Sequence, residues 1–388
     1  MSAPTGAVAG SGLRPLPQRA DVVVVGAGIA GLCTAYELAR RGVEVVVLER
    51  DQPWSDASGA NAGTLSLQVK RPETWDLTRL AIERWATLGP ELGVDLGFAQ
   101  PGGLRVATTE RERAMLTRAV EAQRAHGLDV TLLQRREAHA RAPWLGPAVS
   151  AAAWCPTDAL SSPLLVGPAL VAAVRRLGVG VHPCAEVAAI RGGPAGSRLI
   201  TARGEVRARR VVVAAGAWAG RVAAMLGHPL PVQVDVNMLT VTARMPPLLD
   251  CVVTHVGGVL SLKQYANGTC VIGGGWQGRG GIETGERALD HERFLHNMRF
   301  AHQVVPGLGA AHVVRAWAGF EGVAPDALPL LGGLPGRDDV WVVACARGGY
   351  SQGPALGLVA AAQVRGERPP LAVAAFAPGR LRSAAAVA

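Results

Sequence analysis

Apolar residues recur along the chain in two alternating rhythms. Val22 to Val25 is a continuous β-branched run of the kind that fills a parallel strand buried on both faces. A helical pattern follows over 32–41, and a second apolar run over 43–48 stops at Glu49. Further on, helical spacing predicts helices near 74–88, 111–126 and 291–304, and a helix after Pro163. Period-two alternation over 103–108 and 239–242 predicts strands with one polar face. The runs 259–265 and 270–272 flank Asn267-Gly268, which predicts a hairpin. No internal repeat is visible.

At 388 residues the chain exceeds what one core usually organises, so two domains are expected. Charge changes the picture little. The formal net charge is +9, yet only Lys70 and Lys263 are lysines among 39 basic residues. The arginines are scattered and lack interleaved aromatics, which argues against nucleic-acid binding. No apolar run approaches the ~20 residues of a membrane span. The six cysteines form no CxxC pair and no metal-ligand spacing. Buried free thiols in a reducing cytoplasm are expected, with no metal. Residues 1–18 lack the apolar core of a signal peptide and are expected to be a flexible leader.

The sharpest chemistry lies between the first two strands. Gly26, Gly28 and Gly31 form GxGxxG at the strand-to-helix turn. Gly26 permits the tight turn, and Gly28 admits a pyrophosphate close to the backbone. Gly31 lets helix and strand approach, and the helix N-terminus offers free N–H groups to the anion. Glu49, 18 residues past Gly31, ends the second strand where an acid accepts hydrogen bonds from a ribose. An acid there disfavours a 2′-phosphate, leaving FAD or NAD.

Further motifs separate these two. They are Ala57-Ser-Gly-Ala-Asn-Ala-Gly63 with Thr64-Leu-Ser-Leu-Gln68, Asp158-Ala-Leu-Ser-Ser-Pro163, and Ala185-Glu-Val-Ala-Ala-Ile190. Val211-Val-Val-Ala-Ala-Gly-Ala-Trp218, the segment 315–332 and Ala344-Cys-Ala-Arg-Gly-Gly-Tyr-Ser-Gln-Gly-Pro354 complete the set. In this order they resemble the D-amino acid oxidase-like family of FAD-dependent oxidoreductases, from about Asp21 to Arg380. The branch they look most like holds glycine and sarcosine oxidases, opine and hydroxyproline dehydrogenases, and hydrogen cyanide synthase subunits.

The resemblance implies an α/β fold: a Rossmann-like FAD-binding domain and a second α+β substrate domain on a mainly antiparallel sheet. FAD binding would fall to 19–75, 145–225 and 326–381, and substrate binding to 76–144 and 226–325. Gly26, Gly28, Ile29, Ala30 and Gly31 would meet the pyrophosphate, and Glu49 with Arg50 the adenosine side. Asn61, Ala62 and Gly63 would line the flavin, the backbone of Val187 the adenine, and Gly216 with Trp218 would follow the strand beneath. Arg347 to Gln352, including Gly348, Gly349, Tyr350 and Ser351, would cap the pyrimidine end. A reduced, anionic flavin needs donors near N1 and O2, which a glycine-rich turn before a helix supplies. Asn61 stands where one group of relatives carries a flavin-linking histidine, and 317–326 lacks the cysteine used by another. Non-covalent FAD is expected.

The reaction implied is hydride loss from a carbon bearing an unprotonated amine, giving an imine that water hydrolyses. It needs no dedicated acid–base pair, so no catalytic histidine is named. A 2-hydroxy-acid dehydrogenase is the alternative enzyme. An FAD-carrying subunit of a heteromeric opine-type dehydrogenase, passing electrons to an acceptor or partner, is the other. Arg347 stands where glycine oxidases bind the substrate carboxylate, and a planar guanidinium suits that task. It could equally contact protein or a flavin carbonyl. Glu321 departs from the pattern, occupying the slot of a second carboxylate-binding arginine. It either receives a cationic amine or pairs with a structural arginine such as Arg315. Tyr350, Tyr265, Lys263 and Gln68 are further substrate-binding candidates, with packing roles as the alternative. Trp218 and Trp317 are expected in the core.

Overall fold

In the computed structural model, residues 13–193, 196–344 and 347–381 are described. The first dozen residues of the expected leader, and Cys345, lie outside them. The β-branched run becomes strand Arg19–Val25, with Val22, Val23 and Val24 fully buried. It is parallel to Val45–Leu48 on one side and to Gly204–Val213 on the other. Gly180–His182 and Val340–Ala344 extend the parallel sheet outward, and Leu330–Gly333 closes it antiparallel. Val187–Gly193 and Gly196–Thr201 project from Gly204–Val213 as an antiparallel ribbon.

Helices Ile29–Ala39, Trp75–Leu92, Pro163–Arg176 and Gly349–Arg365 cover one face of this sheet around a core including Val22, Val24, Leu32, Trp85 and Leu356. A second core, with Val23, Val25, Leu199 and Val211, fills the other face beneath the ribbon and helix Ala219–Ala224. Burial on both faces is what an all-apolar parallel strand requires.

The second sheet has eight strands in the order Val313–Val323, Gln233–Arg244, Thr269–Gly273, Ser261–Gln264, Val252–His255, Gly103–Ala107, Ala151–Cys155 and Thr131–Gln134. All its neighbours are antiparallel except Val252–His255 with Gly103–Ala107. Helix His291–Val304 packs on one face and Glu110–Ala125 serves the other, where a capping box joins Thr109 and Glu112. The α/β architecture is therefore the one expected, with a Rossmann-like sheet and a mainly antiparallel one.

Two segments sit differently from the sequence reading. Ala151–Cys155, inside the range assigned to FAD binding, pairs within the second sheet, its backbone bonded antiparallel to Gly103–Ala107 on one side and Thr131–Gln134 on the other. Helix Trp75–Leu92, assigned to the substrate part, buries Trp85 in the core of the first sheet. The cysteines also need a correction: Cys33, Cys155, Cys251 and Cys270 are buried thiols, but Cys184 is exposed.

Candidate functional site

A cleft opens where strand Arg19–Val25 meets helix Ile29–Ala39. Gly26 has φ +109°, and a Cβ there would lie 2.5 Å from the Ala214 carbonyl oxygen. A Cβ on Gly31 would lie 2.0 Å from the Gly26 carbonyl oxygen, so only glycine lets helix and turn approach this closely. The helix begins without a side chain capping it from Gly28, although Ser58 Oγ accepts the Ile29 N–H at 2.9 Å. Gly26, Gly28, Glu49, Arg50, Val187, Gly216 and Trp218 all line this cleft, together with Asp56, Ser58, Arg221 and Phe320.

Glu49 is the hinge of its wall. One carboxylate oxygen accepts the Ala27 N–H at 2.7 Å and the other the Asp51 N–H at 2.9 Å. Burial raises its pKa above the usual carboxylate value, and the two amides oppose that rise. Arg50 lies 3.9 Å over the Trp218 ring and contacts Asp51 and Asp56.

Ala57 and Phe320 line both this cleft and a second chamber of about 700 Å³, so the two spaces are neighbours that share these walls. Asn61, Ala62, Glu321, Arg347, Gly348, Tyr350, Ser351 and Gln352 line the chamber. The helix Gly349–Arg365 starts from Gly348 without a side-chain cap; Tyr350, Ser351 and Gln352 of its first turn line the chamber, and the Ser351 N–H is taken by the Gly348 carbonyl at 3.2 Å. Asn61 Oδ1 accepts the Gly63 N–H at 2.8 Å, a tight turn that holds the 61–63 backbone beside the chamber.

Glu321 is the most connected acid here. Its carboxylate accepts the Gly348 N–H at 2.8 Å and an amide N–H of Asn237. Burial raises its pKa, against the pull of the Gly348 N–H, Lys70 and Arg347. Arg315, the partner considered from the sequence, instead lies over Trp317. Arg347 is exposed, with Nη2 3.6 Å from Asp235. Tyr350 is buried, stacked 5.3 Å from Trp85, and its hydroxyl lies 3.0 Å from Ser161 Oγ.

Three of the expected substrate-binding residues lie behind the wall rather than in it. Gln68 is fully buried and donates to Gly103 and Asp158. Tyr265 donates its hydroxyl to the Ala62 and Ser161 carbonyls, both at 3.0 Å. Lys263 is fully buried and donates to Thr64 Oγ1 at 2.7 Å. Lys263 and Tyr265 are covered by the 62–64 segment, which crosses over the strand face that carries them, and Gln68 belongs to the continuation of that segment. Ile29, Ala30, Gly31, Gly63 and Gly349 shape the walls through their backbone without lining either space.

Sequence reasoning missed Lys70, which lines the chamber and donates to the Gly348 carbonyl at 3.1 Å. Burial lowers its pKa to about 8, opposed by Glu321 and Asp158. The missed signal was compositional. A chain that writes nearly every cation as Arg keeps Lys only at 70 and 263, and Lys alone can shed its proton on burial. His255 also reaches the chamber; its Nδ1 accepts the Gly257 N–H, and burial lowers its pKa. Among the described residues no cluster of His, Cys, Asp and Glu could hold a metal ion, and no helix is long and apolar enough to cross a membrane.

The pieces fit a dinucleotide cofactor: a glycine turn that a Cβ would fill, a helix start with glycine at its N-cap, an acid at the end of the second strand, and a roomy chamber beyond. Comparison with known proteins agrees. The family model "FAD dependent oxidoreductase" (DAO) matches residues 21–363. Glycine oxidase of Geobacillus kaustophilus is 32% identical over 356 residues, covering 89% of this chain and 93% of that protein. Sarcosine oxidase subunit beta of Rhizobium meliloti is 28% identical, covering 92% and 87%. Among solved structures, the glycine oxidase from Geobacillus kaustophilus superposes with a TM-score of 0.87 at 29% identity, covering 93% of this chain and 98% of that one. L-proline dehydrogenase from P. horikoshii gives the same TM-score at 25% identity, covering 95% and 99%. The chain belongs to the DAO family of FAD-dependent oxidoreductases.

Proposed function

We propose that the chain oxidises the C–N bond of an amino acid or N-substituted amino acid, with FAD held non-covalently along the cleft and its isoalloxazine in the 700 Å³ chamber. The observation that carries this reading is the adjacency of the two spaces, which share Ala57 and Phe320 and so set a phosphate seat beside a reaction chamber. FAD, when bound, supplies the hydride acceptor. The protein's part is to bind the substrate, orient it and exclude water.

In this reading Gly26, Gly28, Ile29, Ala30 and Gly31 receive the pyrophosphate, Glu49 the ribose, and Val187 the adenine. Tyr350, Ser351 and Gln352, in the first turn of that helix, line the chamber where negative charge would develop. Arg347 is the carboxylate receptor, since it is exposed and lines the chamber, and its contact with Asp235 is a long one at 3.6 Å. Glu321 is a positioning residue: both its oxygens are engaged, and one of them fixes the Gly348 N–H and so the turn that presents Arg347. Lys70, Arg71 and Arg347 line the chamber with the Glu321 carboxylate, while Asp235 and Glu73 stand near Arg347 and Arg71 outside that lining. That lining suits a substrate carrying one carboxylate and a neutral amine. Free thiols at Cys33, Cys155, Cys251 and Cys270 suit a reducing compartment such as the cytoplasm.

Anaerobic mixing of the yellow protein with amino acids, N-alkyl amino acids and 2-hydroxy acids tests the proposal. Bleaching of the oxidised-flavin band by the amines alone is expected; bleaching by hydroxy acids alone would overturn it. The sarcosine oxidase and opine oxidase relatives are named subunits, so the same assay includes an acceptor arm. Peroxide formed in air by the isolated chain supports a stand-alone oxidase. Reoxidation only by a dye or a second protein supports a subunit role.

A further inference from the structure

The hairpin at 279–288 belongs to neither large sheet. Arg279–Gly281 pairs only with Glu286–Ala288, and the hairpin leaves the second sheet beside Val236, whose carbonyl accepts the Gly278 N–H at 2.7 Å. From there it reaches across to the cofactor cleft and touches it at three points. Arg287 makes a two-pronged pair with Asp56, at 3.1 and 3.3 Å, and its guanidinium lies 4.6 Å over the Phe320 ring. Ile282 packs on the apolar cluster of Ala217, Trp218 and Phe320. Glu283 pairs with Arg221.

Asp56 and Arg221 are not arbitrary anchors. Both line the cleft, Asp56 from the turn after the second strand and Arg221 from helix Ala219–Ala224 beyond Gly216. The hairpin is thereby tied to two residues of the cleft lining and packs through Ile282 on the apolar residues of that lining, without lining the cleft itself. Asp56 is also held by Arg50, 3.4 Å away, which itself stacks on Trp218. Nothing in the hairpin has a role in the chemistry proposed above: it carries no chamber-lining residue.

We propose that the 279–288 hairpin is a strap that retains the cofactor, clasped chiefly by Arg287 on Asp56 and secondarily by Glu283 on Arg221. Opening it requires breaking the two ion pairs and lifting Ile282, so Arg287 and Glu283 set how fast the dinucleotide leaves. The inference rests on the reading that this cleft holds the adenosine half of FAD.

The test is the rate at which holoprotein releases flavin after dilution, followed by the appearance of free FAD. Both pairs are partly exposed, so each clasp is modest. Glu283→Gln is expected to release FAD about twofold faster, and Arg287→Ala, which loses a bidentate partner, about tenfold faster. Raising NaCl from roughly 0.05 to 0.5 M should speed release from the wild type and have much less effect on the double variant, because screening removes what the variant already lacks. Unchanged rates in the double variant, with the wild-type salt response retained, would overturn the strap. Flavin that stays with the acid-precipitated chain would overturn it too, since retention would then be covalent.

Gly28→Val serves as the control for the underlying reading, with circular dichroism to establish that it folds. If Gly28→Val takes up flavin as the wild type does, the cofactor lies elsewhere and the reading falls with the strap. If it loses flavin while Arg287→Ala releases at the wild-type rate, the strap alone falls.

Discussion

Lys263→Met should make the protein more stable, and the gain should depend on pH in a defined way. Lys263 is fully buried, and among the described residues it donates to the neutral Thr64 hydroxyl with no carboxylate partner. Desolvation pulls its pKa from 10.5 to about 7. Between those values the unfolded chain holds a proton that the folded chain has released, so wild-type stability rises with pH across that window. The folded state is penalised in full below pH 7 and not at all above about 10.5. At ~1.4 kcal/mol per pKa unit the full penalty is about 5 kcal/mol. Met keeps the volume and the apolar stem, and it gives up one hydrogen bond of about 1 kcal/mol. Thr64 retains Ser261 Oγ at 2.9 Å as a partner. The net gain is therefore about 4 kcal/mol at pH 6 and near zero at pH 9.5. Urea unfolding of both holoproteins at saturating FAD, from pH 6 to 10, measures it. A difference between the two proteins that stays flat across this range would refute the argument, because it would mean Lys263 titrates alike in both states.

Gly31→Ala sets a Cβ 2.0 Å from the Gly26 carbonyl oxygen. The helix must shift away from the phosphate turn, costing about 3 kcal/mol and at least tenfold in FAD affinity, read by thermal unfolding and flavin titration. Glu49→Gln replaces one of two backbone acceptors with a donor facing an N–H, so the Ala27–Gly28 turn loosens. A fall in FAD affinity of about tenfold by titration is expected, with the chain still folded. Glu321→Gln removes the negative charge that helps keep Lys70 protonated to about pH 8. KM for a carboxylate substrate should rise as pH passes through about 8 in the wild type, and the rise should begin at lower pH in Glu321→Gln. Identical pH profiles would mean that the Lys70 charge at the chamber wall does not help to hold the carboxylate.

The parts of the site that were legible are those whose chemistry is local in the chain. GxGxxG, the acid at residue 49 and the Asn61 turn are each complete within a few residues or one βαβ unit, so their spacing already carries the geometry. The helices and the hairpin at Asn267-Gly268 were equally readable: His291–Val304 falls on the predicted bounds, and the others shift by a few residues at their ends. The strap was hidden because Arg287 and Asp56 are 231 residues apart and neither carries a motif.

The misplaced residues fail for a related reason. In Ser261–Gln264 alternation puts Ser261 and Lys263 on one face, and Tyr265 continues the series. Ser261 does reach the chamber, yet Lys263 and Tyr265 do not, because Thr64 and the Ala62 carbonyl lie directly on them. A Cβ on Gly63 would stand 2.6 Å from the Tyr265 hydroxyl, so the crossing segment is seated as closely as it can be. Periodicity fixes which face a side chain takes, while the segment that covers that face is decided by a contact some 200 residues distant in sequence. The same crossing explains why a lysine was kept at 263. A guanidinium there would stay charged with no carboxylate to meet it, whereas an amine beneath Thr64 can become neutral and still share a hydrogen bond.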